Sequence, residues 1–188
     1  LFSNIKLISK FLKNKKLDKK INIINVNKNK INFDKKKINI FSFKTISLED
    51  NTYKSLVYAY ELCKKKICIG LITLPLRKDL IRKNIDKSFI GQTEFFQKIN
   101  NKKYANMILY HKKIIVSPLT THLKLKDIAK TVSNKLLLYN LICTLYKTLQ
   151  IDFKIQKPRL IITGLNPHAG ENGEIGDEEI KYIKPVIN

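Results

Sequence analysis

The apolar positions of this chain recur with two periods, which divide it into predicted strands and helices. Isoleucine alternates with polar residues in Ile21-Asn22-Ile23 and again in Ile38-Asn39-Ile40. A period of two predicts strands with one buried face. Lysines crowd the stretch between these strands and predict a solvated loop: Lys28, Lys30, Lys35, Lys36 and Lys37.

Other segments have the period and the end residues of helices. Ser47 precedes Asp50 by three residues, a spacing typical of a helix start, and the apolar face that follows runs to the basic residues 64–66. Leucines at helical spacing predict a helix over residues 133–150. A short helix is predicted over residues 93–99 with Thr93 as its N-cap, and another from Asp177 onward, which begins with acids.

Two short apolar runs predict buried strands, at residues 67–74 and 160–163. Residues 105–110 and 114–119 predict a strand pair around His111. Because helices alternate with buried strands, the predicted class is α/β, with a mainly parallel sheet and flanking helices.

Composition limits the class of protein. The 188 residues have a formal net charge of +22 and a hydrophobic fraction of 44%, enough for a core. No apolar stretch reaches the roughly 18 residues that a membrane span needs, so no membrane is expected. The three cysteines, odd in number, predict reduced core thiols in a cytoplasmic protein.

The positive charge comes almost entirely from lysine, which changes what the charge indicates about function. Lysine supplies 34 of the 37, and isoleucine (29) and asparagine (18) are also abundant. All three residues have codons rich in A and T, so an AT-rich genome explains the charge more simply than nucleic-acid binding, which favours arginine. A lysine-rich nucleic-acid-binding module remains an alternative.

Two of the three histidines follow predicted strands. His122 comes after the strand that ends near residue 119, and His168 comes after residues 160–163. Open α/β sheets bind ligands beyond the carboxyl ends of their strands, so these imidazoles have the chemistry and the placement of a divalent-metal site. Two histidines are one short of the usual catalytic zinc set, and loop histidines that cap backbone groups are the alternative.

Two loops lead into predicted helix N-termini, where anions bind. Residues 166–173 are rich in glycine, and a structural turn explains them equally well. In the second loop, Gly91-Gln92-Thr93, the Thr93 hydroxyl and backbone N–H groups could hold a phosphate, or could simply cap the helix.

Four ordered motifs resemble one enzyme family. The longest runs Gly164-Leu165-Asn166-Pro167-His168-Ala169-Gly170-Glu171 and continues through Gly173, Gly176 and Glu178-Glu179-Ile180. The others are Leu71-Ile72-Thr73 with Pro75 and Lys78, Gly91-Gln92-Thr93-Glu94-Phe95-Phe96, and Thr120-Thr121-His122-Leu123 with Leu125 and Asp127-Ile128. Together they resemble the 4-hydroxythreonine-4-phosphate dehydrogenase family of vitamin B6 biosynthesis.

The resemblance implies a fold, an activity and a set of site residues. The family oxidises 4-phosphohydroxy-L-threonine, a phosphorylated hydroxy-amino acid, with NAD or NADP, and the 3-oxo acid then loses CO₂ to give 3-amino-2-oxopropyl phosphate. His122 and His168 match two of its three metal ligands, with zinc the expected metal and magnesium or cobalt possible. Gln92 and Thr93 match its substrate-binding positions. The family is a homodimer with a shared active site and an isocitrate/isopropylmalate dehydrogenase-like two-domain subunit.

Several features depart from the family pattern. The chain lacks an initiator Met and ends in mid-pattern, so residues 1–188 are expected to be an incomplete central portion of the two-domain subunit, inactive alone. The third metal histidine and the cofactor site are expected beyond Asn188. Gln92 replaces a histidine and Leu74 replaces a small residue, so an inactive remnant is one alternative. A dehydrogenase of phosphorylated sugar acids (4-phospho-D-threonate or 4-phospho-D-erythronate) is another.

Overall fold

The computed structural model divides the chain into two compact units, Leu1–Phe89 and Ile90–Asn188. It describes residues 2–3, 5–15, 20–26, 31–45, 47–112 and 114–187.

The first unit contains a parallel strand pair. After helix α1 (Ile5–Asn14), strands β1 (Ile21–Asn25) and β2 (Ile38–Ser42) pair with Ile21 opposite Ile38. The two alternating segments are therefore strands, as predicted. Lys35, Lys36 and Lys37 are exposed in the connection, while Lys28 and Lys30 lie outside the described residues. The connection is about as long as the dozen residues that a parallel crossover needs.

Helix α2 (Leu48–Lys64) covers this pair. Its predicted cap is confirmed: the Ser47 hydroxyl oxygen accepts a hydrogen bond from the Asp50 N–H at 3.0 Å. Leu62 on this helix packs with Ile24 and Phe41 of the strands in one buried cluster. The unit ends with helix α3 (Lys78–Asn84).

An ion pair lies at the start of α3, between its N-cap Arg77 and Asp79 in its first turn. Arg77 donates two hydrogen bonds to the Asp79 carboxylate, from Nε at 3.0 Å and from Nη2 at 2.7 Å. This hydrogen bonding lowers the pKa of Asp79 to about 2.

The prediction of a buried strand at residues 67–74 is wrong. The segment has no regular secondary structure and pairs with no strand among the described residues, and Ile72 is 95% exposed. A parallel strand is stable only where neighbours complete its backbone hydrogen bonds and cover its faces. This segment has the composition of such a strand without those neighbours.

The second unit opens with helix α4 (Gln92–Ile99) and a hairpin of β3 (Leu109–His111) and β4 (Ile114–Val116). The hairpin confirms the predicted strand pair in a shorter form. The prediction of Thr93 as N-cap is wrong, because the extended residue Gly91 is the cap and Thr93 lies in the first turn.

The other regular elements described in this unit are helical. A 3₁₀ turn (Leu125–Asp127) leads into α5 (Ile128–Val132), and α6 (Lys135–Ile151) confirms the helix predicted from its leucines. A π turn (Glu179–Ile183) continues into α7 (Lys184–Ile187), close to the predicted acidic start. Val132, Leu138 and Ile183 form the buried cluster that joins them.

The second predicted buried strand, at residues 160–163, is also absent. Ile161 is 92% exposed, although Ile162 packs against the cluster around Leu138. Within the described residues the sheets are therefore one parallel pair and one antiparallel pair. The class is mixed α/β as predicted, but with a small parallel sheet in place of a mainly parallel one. No helix in the described part of the chain is long and apolar enough to cross a membrane.

Candidate functional site

The glycine-rich loop of the second unit has an unusual backbone. From Ala169 to Gly173 five successive residues have positive φ angles, between 45° and 103°. Left-handed conformations cost roughly 1–2 kcal/mol at each residue other than glycine. Ala169, Glu171 and Asn172 bear that cost here, so other interactions must hold the turn in place. Such local strain is concentrated at functional sites.

Gly170 is the tightest point of this turn. A Cβ atom built on Gly170 would lie 2.1 Å from the Gly176 carbonyl oxygen, and its φ angle is +72°. Space and conformation therefore both require glycine here. The Gly170 carbonyl in turn accepts hydrogen bonds from the N–H groups of Ile175 and Gly176.

Asn166 stabilises the start of the turn. Its side-chain Oδ1 accepts hydrogen bonds from the backbone N–H of His168 at 2.9 Å and of Ala169 at 3.1 Å. This is the local side-chain-to-backbone bonding that makes asparagine common in turns. The loop therefore presents His168 on an ordered backbone, with an exposed side chain.

The His168 ring is oriented by a carboxylate. Its Nδ1 lies 2.9 Å from Glu171 Oε1. Because a carboxylate only accepts hydrogen bonds, Nδ1 must carry the proton of this contact, and in the neutral ring the Nε2 lone pair is then available. Metal-binding histidines commonly have such a carboxylate on their second nitrogen.

A hollow of about 740 Å³ lies beside this loop. Its lining includes His168, Glu171, Glu174, Glu179 and, as its basic residue, Lys184. Residues 164–180 contain five acidic residues and neither lysine nor arginine. In a chain with a net charge of +22, this segment is a local concentration of acidic side chains, one of which, Asp177, pairs with Lys181.

A second hollow in the same unit, of about 260 Å³, contains the other motif residues. Thr93 and Glu94 at the start of α4 line it together with Thr121, His122 and Leu123. His122 has a φ angle of +57°, in the left-handed region that histidine tolerates better than most residues. Gln92 is half-buried at the first residue of α4, and the residues that line this hollow include Thr93 but not Gln92.

Glu94 has one satisfied and one unsatisfied carboxylate oxygen. Its Oε1 is 3.5 Å from the Thr121 hydroxyl, while Oε2 is buried and has no hydrogen-bond partner in the described structure. A buried carboxylate oxygen without a partner is costly. Glu94 therefore keeps a hydrogen-bond acceptor that the described residues do not use.

The predicted site residues thus fall into two groups. Thr93 and His122 share one hollow, and His168 lines the other. The described residues contain no group of three His, Cys, Asp or Glu side chains that could hold a metal ion. In chemistry the two imidazoles fit a divalent metal, and His168 has the supporting carboxylate. In number two histidines are one short of a typical catalytic zinc site, and these two line different hollows.

Sequence reasoning missed four acids of these hollows: Glu94, Glu171, Glu174 and Glu179. The spacing of Glu171 three residues after His168 is a signal that could have identified it. Glu94 and Glu179 make their contacts with residues 27 and 14 positions away in the chain. Short-range residue spacing does not reveal contacts of that kind. The remaining motif, residues 71–78, belongs to the first unit.

The fold and these loops define the class: a mixed α/β protein that shares its fold with dehydrogenases of known structure. A 4-hydroxythreonine-4-phosphate dehydrogenase from Burkholderia phymatum superposes with a TM-score of 0.70 at 22% identity, over 99% of this chain and 59% of that one. A provisionally named 4-hydroxythreonine-4-phosphate dehydrogenase from Salmonella typhimurium gives 0.76 at 24% identity, over 99% and 60%. The chain therefore spans about three-fifths of the length of these relatives.

Residues 3–188 match the model of one family, pyridoxal phosphate biosynthetic protein PdxA. The chain belongs to this family, and the family predicted from the four motifs is confirmed.

Proposed function

We propose that this chain is part of a 4-hydroxythreonine-4-phosphate dehydrogenase. The enzyme would oxidise the C3 hydroxyl of 4-phosphohydroxy-L-threonine, pass the hydride to NAD or NADP, and release CO₂ from the resulting 3-oxo acid. The observation that supports this most is family membership over residues 3–188, together with the ordered His168 loop. We further propose a cytoplasmic homodimer with a shared active site, built from isocitrate/isopropylmalate dehydrogenase-like two-domain subunits.

The proposed roles of the residues follow from their chemistry. His122 and His168 would hold the divalent metal, zinc by preference, through neutral imidazole nitrogens. When bound, such a metal acts as a Lewis acid on substrate oxygens. Glu171 keeps the proton on Nδ1 of His168 and leaves Nε2 available for ligation.

Substrate binding is proposed for the start of α4. Thr93 lines a hollow shared with His122, and the N–H groups at a helix N-terminus favour the phosphate of the substrate. Gln92 would hydrogen-bond the substrate through its amide but, unlike histidine, would not exchange a proton near neutral pH.

The test is an activity assay on the longest polypeptide that contains this chain, with 4-phosphohydroxy-L-threonine, Zn²⁺ and NAD⁺ or NADP⁺. We expect turnover that a chelator removes. We expect a loss of 100-fold or more in His122→Ala and in His168→Ala. The matched control is His111→Ala, which alters the third histidine, on exposed strand β3. Undiminished activity in either of the first two variants would reject the metal assignment.

Two arms of the assay address the alternatives. Oxidation of 4-phospho-D-threonate in preference to the amino acid would identify a sugar-acid dehydrogenase. If the polypeptide is inactive, Gln92→His tests the remnant hypothesis: recovered turnover would show that Gln92 is the lesion.

A further inference from the structure

Glu179 is an acid buried in the unit that contains His168. Only 8% of the residue is exposed, and glutamate is rarely buried unless it is paired. Its Oε1 accepts a hydrogen bond from the backbone N–H of Leu165 at 2.9 Å. This bond joins the π turn (Glu179–Ile183) to Leu165, 14 residues earlier in the chain.

The same carboxylate also lies near the middle of the loop. A Cβ atom built on Gly170 would lie 3.5 Å from Glu179 Oε2, so the second oxygen borders the space beside this tight point. Glu179 is therefore bonded to the loop at Leu165, three residues before His168, and lies close to it at Gly170, two residues after His168.

We propose that Glu179 is the positioning residue of the His168 loop: it holds the strained left-handed turn so that the imidazole is presented to a bound divalent metal. This inference rests on the metal-binding role proposed for His168. Glu179 acts through the loop backbone, whereas Glu171 acts directly on the ring.

The conservative substitution separates positioning from direct ligation. In Glu179→Gln the amide oxygen still accepts from the Leu165 N–H, so the loop keeps its anchor while the negative charge is lost. In Glu179→Ala the anchor is lost as well. A positioning role thus predicts that glutamine rescues the site, and a ligand role predicts that it does not.

The experiment measures two properties of the longest polypeptide that contains this chain and of its variants: Co²⁺ binding by visible absorption, and NMR signals of the Leu165 amide and the His168 ring. We expect Glu179→Ala to weaken Co²⁺ binding by about tenfold or more, the typical effect of losing a supporting residue. We also expect it to accelerate hydrogen exchange at Leu165 and to shift the His168 ring signals. Glu179→Gln should stay within about threefold of the parent, as should the control Glu178→Ala, which alters the neighbouring acid.

The outcomes distinguish this inference from the proposed function. If the parent binds no Co²⁺, or binds it equally well as His168→Ala, the metal-binding proposal fails. The NMR arm then still tests positioning, because unchanged His168 ring signals in Glu179→Ala would overturn it. Parent-like Co²⁺ binding in Glu179→Ala, or equal weakening in Glu179→Gln and Glu179→Ala, would overturn it as well.

Discussion

His168 Nδ1 and Glu171 Oε1 lie 2.9 Å apart on a left-handed turn. The turn is what brings them together, because the backbone N–H of Glu171 also donates to the His168 carbonyl at 2.9 Å. Backbone and side chain of the same two residues are therefore bonded to each other.

This contact predicts the tautomer of His168. In the neutral ring the proton should reside mainly on Nδ1, since the Glu171 carboxylate can only accept. Glu171→Ala should shift the tautomer population toward Nε2–H, whereas Glu171→Gln, whose amide oxygen still accepts, should largely preserve it. Long-range ¹H–¹⁵N NMR of the ring distinguishes the two forms. Identical spectra for the parent and Glu171→Ala would show that the contact does not exist in solution.

The close packing around Gly170 predicts that one added methyl group lowers the free energy of unfolding substantially. Gly170→Ala places a Cβ against the Gly176 carbonyl and in a left-handed conformation, so we expect a loss of about 1–3 kcal/mol in the free energy of unfolding. Gly70→Ala is the matched control, because a Cβ there meets nothing within 4 Å. Urea unfolding of both variants measures the difference. Equal effects would contradict the described loop conformation.

Truncation of two isoleucines of the first unit should change the free energy of unfolding by very different amounts. Ile81 on α3 is 1% exposed, and Ile72 in the irregular segment 67–74 is 95% exposed. Ile81→Ala should lower the free energy of unfolding by about 2–4 kcal/mol. Ile72→Ala should change it by less than about 0.5 kcal/mol. If Ile72→Ala proves as costly as Ile81→Ala, residues 67–74 are buried after all.

The Arg77–Asp79 pair predicts a pH dependence. Because hydrogen bonding lowers the Asp79 pKa to about 2 in the folded chain, against about 3.9 in an unfolded one, the pair stabilises the fold above about pH 4. That contribution is lost as the pH falls toward 2. In Arg77→Gln the midpoint of an NMR titration of the Asp79 carboxyl should rise toward its ordinary value. Lys83→Gln, on the same helix, should leave it near 2.

The local elements that the sequence predicted correctly share one property: their determinants are close together in the chain. The Ser47 cap depends on Asp50 three residues later, and the β1 and β2 segments depend on alternation within a few residues. The family was identified in the same way, since each motif is a short run of chemically specific residues.

The two predictions of a buried strand were wrong for the opposite reason: a strand depends on partners that are far away in the chain. Residues 67–74 and 160–163 have the apolar composition of buried strands, but a strand exists only with partners that complete its hydrogen bonds. Apolar composition does not report whether those partners are present. Two adjacent residues illustrate this. Ile161 is almost fully exposed, whereas Ile162 packs against the cluster that contains Leu138.

The sequence by itself determined the family, the mixed α/β class and the identity of His122, His168, Gln92 and Thr93 as candidates. Only the tertiary structure decided that Thr93 and His122 share a hollow, that Glu171 lies against the His168 ring, and that Glu179 is bonded to Leu165 and lies near Gly170. The physical reason is that propensities and caps act over a few residues. The anchoring of a strained loop instead depends on a buried carboxylate from a distant turn, whose position is set by packing of the whole unit.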